Sequence, residues 1–300
     1  MSTLCKEIRI FSLEKIFLDI IDSQRGMIMN KIEISTPDLQ KLKIIGQGSE
    51  GTIYEYSQNE LLKIYHSYYD CMQMDIKNAT FDEDGVNVTP IKNFKNKSIH
   101  HNTIQYFDEE GVRLSRKESI SRAIAAQKDI HLTRLPQSAV YVDGKLKGCS
   151  LYYHRHTTNI YTVMNIPLYR LRLKIIKKIL EEVKELTSHH IYHIDLCQHP
   201  TLESKNTNIL LTPFLEPQII DIDGHSAIYS ATANEDYKRI TEFSLGVLII
   251  ELLSREYITE FLANPEDEEL CYTLSDRIPE SLITDFLKEE LTLERMAKYL

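Results

Sequence analysis

His193-Ile194-Asp195-Leu196, followed by Asn208-Ile209-Leu210-Leu211 and Asp221-Ile222-Asp223-Gly224, is the stretch whose reading decides the fold. Each piece joins a short apolar run to an acid or an amide. Apolar runs of this length read as buried strands, so the polar residue falls at a strand or loop end. Such a set offers oxygen ligands, which suit a hard cation such as magnesium. It also leaves Asp195 to accept or orient the proton of an attacking hydroxyl.

Working outward, the nearest strong signal lies before this stretch. From Leu168 to about Ser188, apolar residues recur at Leu171, Ile175, Ile176, Ile179, Val183 and Leu186, with lysines and glutamates between them. That spacing predicts an amphipathic helix leading into Asp195. Further upstream, Ala139-Val140-Tyr141-Val142 and Lys145–Tyr153 flank Asp143-Gly144, which is a hairpin signal. Earlier still comes Gly46-Gln47-Gly48-Ser49-Glu50-Gly51-Thr52-Ile53, between a strand at Leu42–Ile45 and a returning strand at Thr52–Tyr56. Glycine allows a backbone to approach phosphate oxygens where a β-carbon would block it. A third strand, Leu61–Tyr65, carries Lys63 between apolar pairs. Strand–glycine loop–strand differs from the strand–loop–helix of dinucleotide and P-loop sites.

Taken together, the glycine loop, Lys63, His193-Ile194-Asp195, Asn208 and Asp221 resemble the protein-kinase-like superfamily, in a divergent form of bacterial Ser/Thr kinase type. The resemblance runs from about Leu42 onward. It implies an α+β fold of two lobes, with an antiparallel sheet in the small lobe and a mostly helical large lobe. The implied organisation is an N-terminal helical extension at 1–35, a small lobe at 36–157 and a large lobe at 158–300. An insertion interrupts the small lobe at about 67–115. The implied cofactors are ATP and Mg2+. Gly46, Gln47, Gly48, Ser49, Glu50, Gly51 and Ile53 would cover the nucleotide, and Lys63 would grip its α- and β-phosphates. Asn208 and Asp221 would hold the metal. Asp223 is either a further ligand or, in the other register, the main one. Glu118, the only glutamate on the helix expected at Arg116–Ile130, is the candidate partner of Lys63; Gln127 or an acid of the insertion is the alternative.

Five departures from the family pattern stand out. Ile194 replaces the arginine of His-Arg-Asp, so activity is expected without phosphorylation of the segment between Asp223 and Lys238. The family spacing H-R-D-x-x-x-x-N is exceeded here, because Asn208 follows Asp195 by 13 positions (208 − 195). The residues around His199–Ser204 must therefore loop out, with Asn206 as the alternative amide. Cys197 stands where protein kinases often carry a lysine. In the helix expected over Asp236–Arg255, Thr241 replaces the family's aspartate, and no Ala-Pro-Glu follows the short Gly224–Lys238 segment.

Composition sets the outer bounds. The 300 residues, 42% hydrophobic and 26% charged, are those of a globular chain with a sizeable core. A net charge of −9 argues against a nucleic-acid-coating role. The five scattered cysteines form no Cys-x-x-Cys pair, which favours a reducing compartment. Charges interrupt the apolar stripe of Ser2–Asp22, and no apolar run is long enough for a transmembrane segment. A cytoplasmic location is expected. His189, His190, His193, Cys197 and His199 crowd together but match no zinc-finger spacing. The function expected is ATP-dependent phosphotransfer to a protein serine or threonine hydroxyl. The alternatives are a small-molecule phosphotransferase of aminoglycoside- or choline-kinase type, and a non-catalytic nucleotide-binding scaffold.

Overall fold

The computed structural model describes residues 30–47, 51–66, 79–82, 85–88, 114–197, 207–223, 226–230, 233–258, 272 and 274–300; for 79–88 and 114–119 it describes the backbone alone. The chain divides into Met1–Asn30 and Lys31–Leu300, and the second unit carries everything below. It is an α+β structure. The N-terminal helix expected over Ser2–Asp22 lies outside the described residues, as does most of the 67–115 insertion.

Strand β1 (Lys31–Ile34) and the short helix α1 (Thr36–Leu39) come first, followed by β2 (Lys43–Gln47), β3 (Gly51–Glu55) and β4 (Glu60–Tyr65). A hairpin, β5 (Ala79–Asp82) and β6 (Gly85–Val88), precedes helix α2 (Leu114–Ala126). The next hairpin, β7 (Ser138–Val142) and β8 (Lys145–Tyr152), turns at Asp143 and Gly144, both at positive φ (49° and 80°), as the Asp-Gly signal requires.

Six strands form one sheet in the order β1-β7-β8-β4-β3-β2. The resemblance implied a wholly antiparallel sheet, and this is corrected: β1 pairs parallel with β7, so the sheet is mixed. The Lys31–Ile34 alternation of exposed and half-buried residues suits an edge strand. Its partner lies more than a hundred residues downstream, with no hairpin turn to announce the pairing. Asp143 fixes the register by accepting from Thr36 N at 3.0 Å and from Thr36 Oγ1 at 2.5 Å, while Asp143 N donates to Ile34 O.

The two faces of the sheet pack differently. Leu39, Leu62, Val140 and Val142 form one cluster. Tyr65, Ile120, Ala139 and Cys149 form another, beneath α2. Side chains alternate along a strand, so Lys63 shares the α2 face with Tyr65. Gly148 is required on β8, because a Cβ there would lie 1.9 Å from Lys63 O. Gly51 is required on β3 for the same kind of close approach, 2.6 Å from Ile64 O.

The rest of the chain is mainly helical. After β9 (Thr158–Asn159) and a 3₁₀ turn over Ile160–Asn165 comes helix α3 (Tyr169–Ser188). Four short strands follow: β10 (Ile191–His193), β11 (Ile209–Leu211), β12 (Pro217–Ile219) and β13 (Ala227–Tyr229). Helix α4 (Glu235–Ser254) starts at an Asn234 cap whose side chain accepts from Tyr237 N, and α5 (Glu280–Leu287) and α6 (Leu293–Tyr299) close the chain. One face of α3, through Ile175, Ile176, Ile179, Val183 and Leu186, packs in a core with Leu245, Leu248, Ile249 and Leu252 of α4. Among the described residues, no helix is long and apolar enough to cross a membrane.

Candidate active site

β10 delivers the first part of the site. It pairs antiparallel with β13, and Ile194 N donates to Ser226 O at 2.8 Å. His193 is 1% exposed. Its Nε2 donates to Ile220 O at 2.9 Å, and its Nδ1 accepts from Asp195 N at 3.3 Å. That pattern fixes one neutral tautomer. Burial pushes the imidazole below its ordinary pKa, in keeping with a neutral ring. His193 therefore positions Asp195 and the backbone just before Asp221.

The long gap between Asp195 and Asn208 closes at its stem. Cys197 and Thr207 form an antiparallel bridge, Thr207 Oγ1 donates to Leu196 O at 2.8 Å, and Asn208 N donates to Leu196 O at 3.0 Å. Asn208 Nδ2 then reaches Asp195 O at 2.6 Å. The two residues thus meet in space although 13 positions separate them (208 − 195). Asn206 and His199–Ser204 lie outside the described residues. Cys197 turns toward α4, its N donating to Ser244 Oγ at 3.1 Å and its Sγ to Ser244 O at 3.1 Å. Burial pushes its thiol up to about 12, so it is not a reactive thiolate.

The sheet contributes the opposing side. Lys63 is 7% exposed, and its Nζ reaches Asp221 Oδ1 at 2.6 Å and Asp223 Oδ1 at 2.9 Å. A buried ammonium needs such charge-assisted partners. Asp223 is 1% exposed and also accepts from Tyr65 Oη at 2.6 Å through Oδ2. Asp221 accepts from Ser226 Oγ at 2.6 Å, and its side chain retains 28% exposure. Asp221 also sits at φ 60°, a left-handed conformation that is costly away from glycine and concentrates at functional sites.

These residues fit a magnesium ion bound with a phosphate. Asp221 is the more accessible carboxylate, with 28% of its side chain exposed against 1% for Asp223. Asn208 binds Asp195 through its amide nitrogen, and its carbonyl oxygen is the end that suits a cation. Among the described residues, no cluster of three His, Cys, Asp or Glu side chains is arranged to hold a metal by itself. One or two carboxylates completed by phosphate oxygens and water is the usual manner of binding for magnesium.

Several sequence expectations fall elsewhere. Gly48, Ser49, Glu50 and the side chain of Glu118 lie outside the described residues. Gly46 and Gln47 end β2, and Gly51 and Ile53 lie on β3, pairing in the register Gly46↔Ile53. Gln127, the alternative partner for Lys63, donates instead to Pro136 O. Tyr65 and Ser226 were not read from the sequence as site residues. Tyr65 had a signal, lying two positions after Lys63 on the same strand face; Ser226 had none.

Comparison with protein-family models finds no match, and comparison with curated proteins finds none either.

Proposed function

We propose that this chain is an ATP- and magnesium-dependent phosphotransferase that passes the γ-phosphate to a hydroxyl, with serine or threonine of a protein as the first acceptor class. The observation that carries the proposal is the meeting of Lys63, from the glycine-bearing sheet, with Asp221 and Asp223, from the stretch that also seats Asn208 against Asp195. On this reading the mixed sheet and α2 are a small lobe, and the helical remainder is a large lobe.

Each residue has a role that its setting supports. Gly46 and Gln47 at the end of β2, with Gly51 and Ile53 on β3, cover the triphosphate. Lys63 exchanges part of its contact with the two aspartates for phosphate oxygens, a like-for-like anionic partner. Asp221, with the carbonyl end of Asn208, holds magnesium, which would neutralise charge on the phosphates. Asp223 and Tyr65 fix Lys63 from behind. Asp195, held by Asn208 and His193, accepts or orients the proton of the acceptor hydroxyl.

One observation favours a small-molecule acceptor as a second reading. Only three positions (224–226) separate Asp223 from β13, which is paired with β10, and five (230–234) separate β13 from α4 at Glu235. That leaves little backbone to form a platform for a peptide. Incubation with labelled ATP and magnesium, with protein substrates in one arm and small hydroxyl compounds in the other, separates the two readings. Transfer in either arm, abolished by Asp195→Asn, supports phosphotransfer. Nucleotide binding with no turnover in any arm, and no effect of Asp195→Asn, would leave a nucleotide-binding scaffold.

A further inference from the structure

Arg172, Arg255 and Arg277 line a cavity of about 600 Å³, together with Leu253, Ser254 and Glu256. It lies where the first turn of α3 meets the C-terminal end of α4 and shares no residue with the Lys63–Asp221 cluster. Its volume falls within the roughly 300–1,000 Å³ typical of small-molecule sites.

Arg172 is the unusual member. It is 6% exposed, yet among the described residues no carboxylate pairs with it, and its guanidinium lies 5.6 Å from the Tyr169 ring centroid. Its Nη1 donates to Ile166 O at 2.6 Å, and its Nη2 donates to Leu253 O at 3.4 Å, near the negative end of α4. Its Nε is buried with no hydrogen-bond partner among the described residues. Among the described residues Arg255 also has no carboxylate partner; its Nε donates to Met164 O at 2.6 Å, and no described residue engages its terminal nitrogens. It follows α4 at φ 65°, a position usually given to glycine. Arg277 reaches Ser254 O at 3.0 Å and pairs with Glu256. Among the described residues, three guanidinium groups thus face one carboxylate, a local surplus of two positive charges. Burial, and then the neighbouring Arg255, lower the pKa of Arg172.

We propose that this cavity binds a small phosphorylated ligand. Arginine forks match phosphate oxygens two at a time, and an orphaned buried donor gains what the carbonyls do not supply. A doubly charged phosphoryl group would balance the surplus. The proposal is independent of the phosphotransfer reading, since Lys63, Asp195 and Asp221 take no part in it.

Calorimetric titration of the full chain with inorganic phosphate and with pyrophosphate tests it. Saturable binding is expected, tighter for pyrophosphate. Arg255→Gln and Arg277→Gln change exposed side chains, so both are expected to keep the native circular dichroism spectrum. Each is expected to weaken pyrophosphate binding at least about tenfold, the scale of a lost charge-assisted fork. No saturable binding to the unaltered chain would overturn the proposal. So would unchanged affinity in both variants, because the anion would then sit elsewhere.

Discussion

Removing one oxygen atom from the site gives a sharp test of how its charges are held. In Tyr65→Phe the ring stays, 3% exposed in the core beneath α2, but Asp223 Oδ2 loses the hydroxyl it contacts at 2.6 Å. Asp223 is 1% exposed, so water cannot easily take the vacant place. A hydrogen bond to a charged group contributes about 1.5–3 kcal/mol, and stranding a buried acceptor falls at the upper end of that range. The expected loss is therefore about 2–3 kcal/mol. For a body of this size each kcal/mol moves the melting midpoint by about 2–4 °C, so the variant should melt roughly 4–12 °C lower. Urea unfolding followed by circular dichroism measures the loss. A double-mutant cycle with Asp223→Asn isolates the pair and should return a coupling of at least about 1 kcal/mol. A loss below about 0.5 kcal/mol, or a cycle with no coupling, would refute the claim that the hydroxyl secures a buried carboxylate.

The remaining predictions concern other parts of the fold. Burial pushes Glu182 up to about 8 from its ordinary 4.5. The folded chain thus keeps a proton that the unfolded chain releases, and the stability this gives is complete below 4.5 and lost as pH rises to 8. The upper bound on that loss is about 5 kcal/mol; Glu182→Gln should flatten the fall in urea midpoint between pH 5 and pH 8, and an unchanged slope would count against the assignment. Gly148→Ala places a Cβ 1.9 Å from Lys63 O, and overpacking of that severity should cost about 3 kcal/mol or more. A melting curve matching the parent protein's would show that β8 and β4 do not approach so closely.

Local signals in the sequence carried much of this architecture. The Asp143-Gly144 turn, the apolar spacing from Leu171 to Leu186 and the strand around Lys63 rest on contacts within a few residues, so periodicity and turn chemistry reveal them. Helix α2 ends at Ala126 rather than near Ile130, because the backbone there closes in turns from Asp129 N and Ile130 N to Ala126 O. The pairing of β1 with β7 was not legible, since a parallel edge strand leaves no local mark of its partner. Lys63 could be singled out by its apolar flanks, but not its simultaneous grip on Asp221 and Asp223, which depends on the turn at φ 60°. The 13-position gap from Asp195 to Asn208 (208 − 195) could be counted. The Cys197–Thr207 bridge that closes it could not.

On the proposed phosphotransfer reading, Lys63 and Asp221 address one nucleotide. Calorimetric titration of ATP–magnesium into the parent chain, Lys63→Arg, Asp221→Asn and the double variant measures it. The account predicts that each single change weakens binding at least about tenfold, about 1.4 kcal/mol, and that the double change costs less than the sum because both act on the same triphosphate. Folded variants that bind ATP–magnesium as tightly as the parent, or a parent chain that does not bind it, would contradict the account.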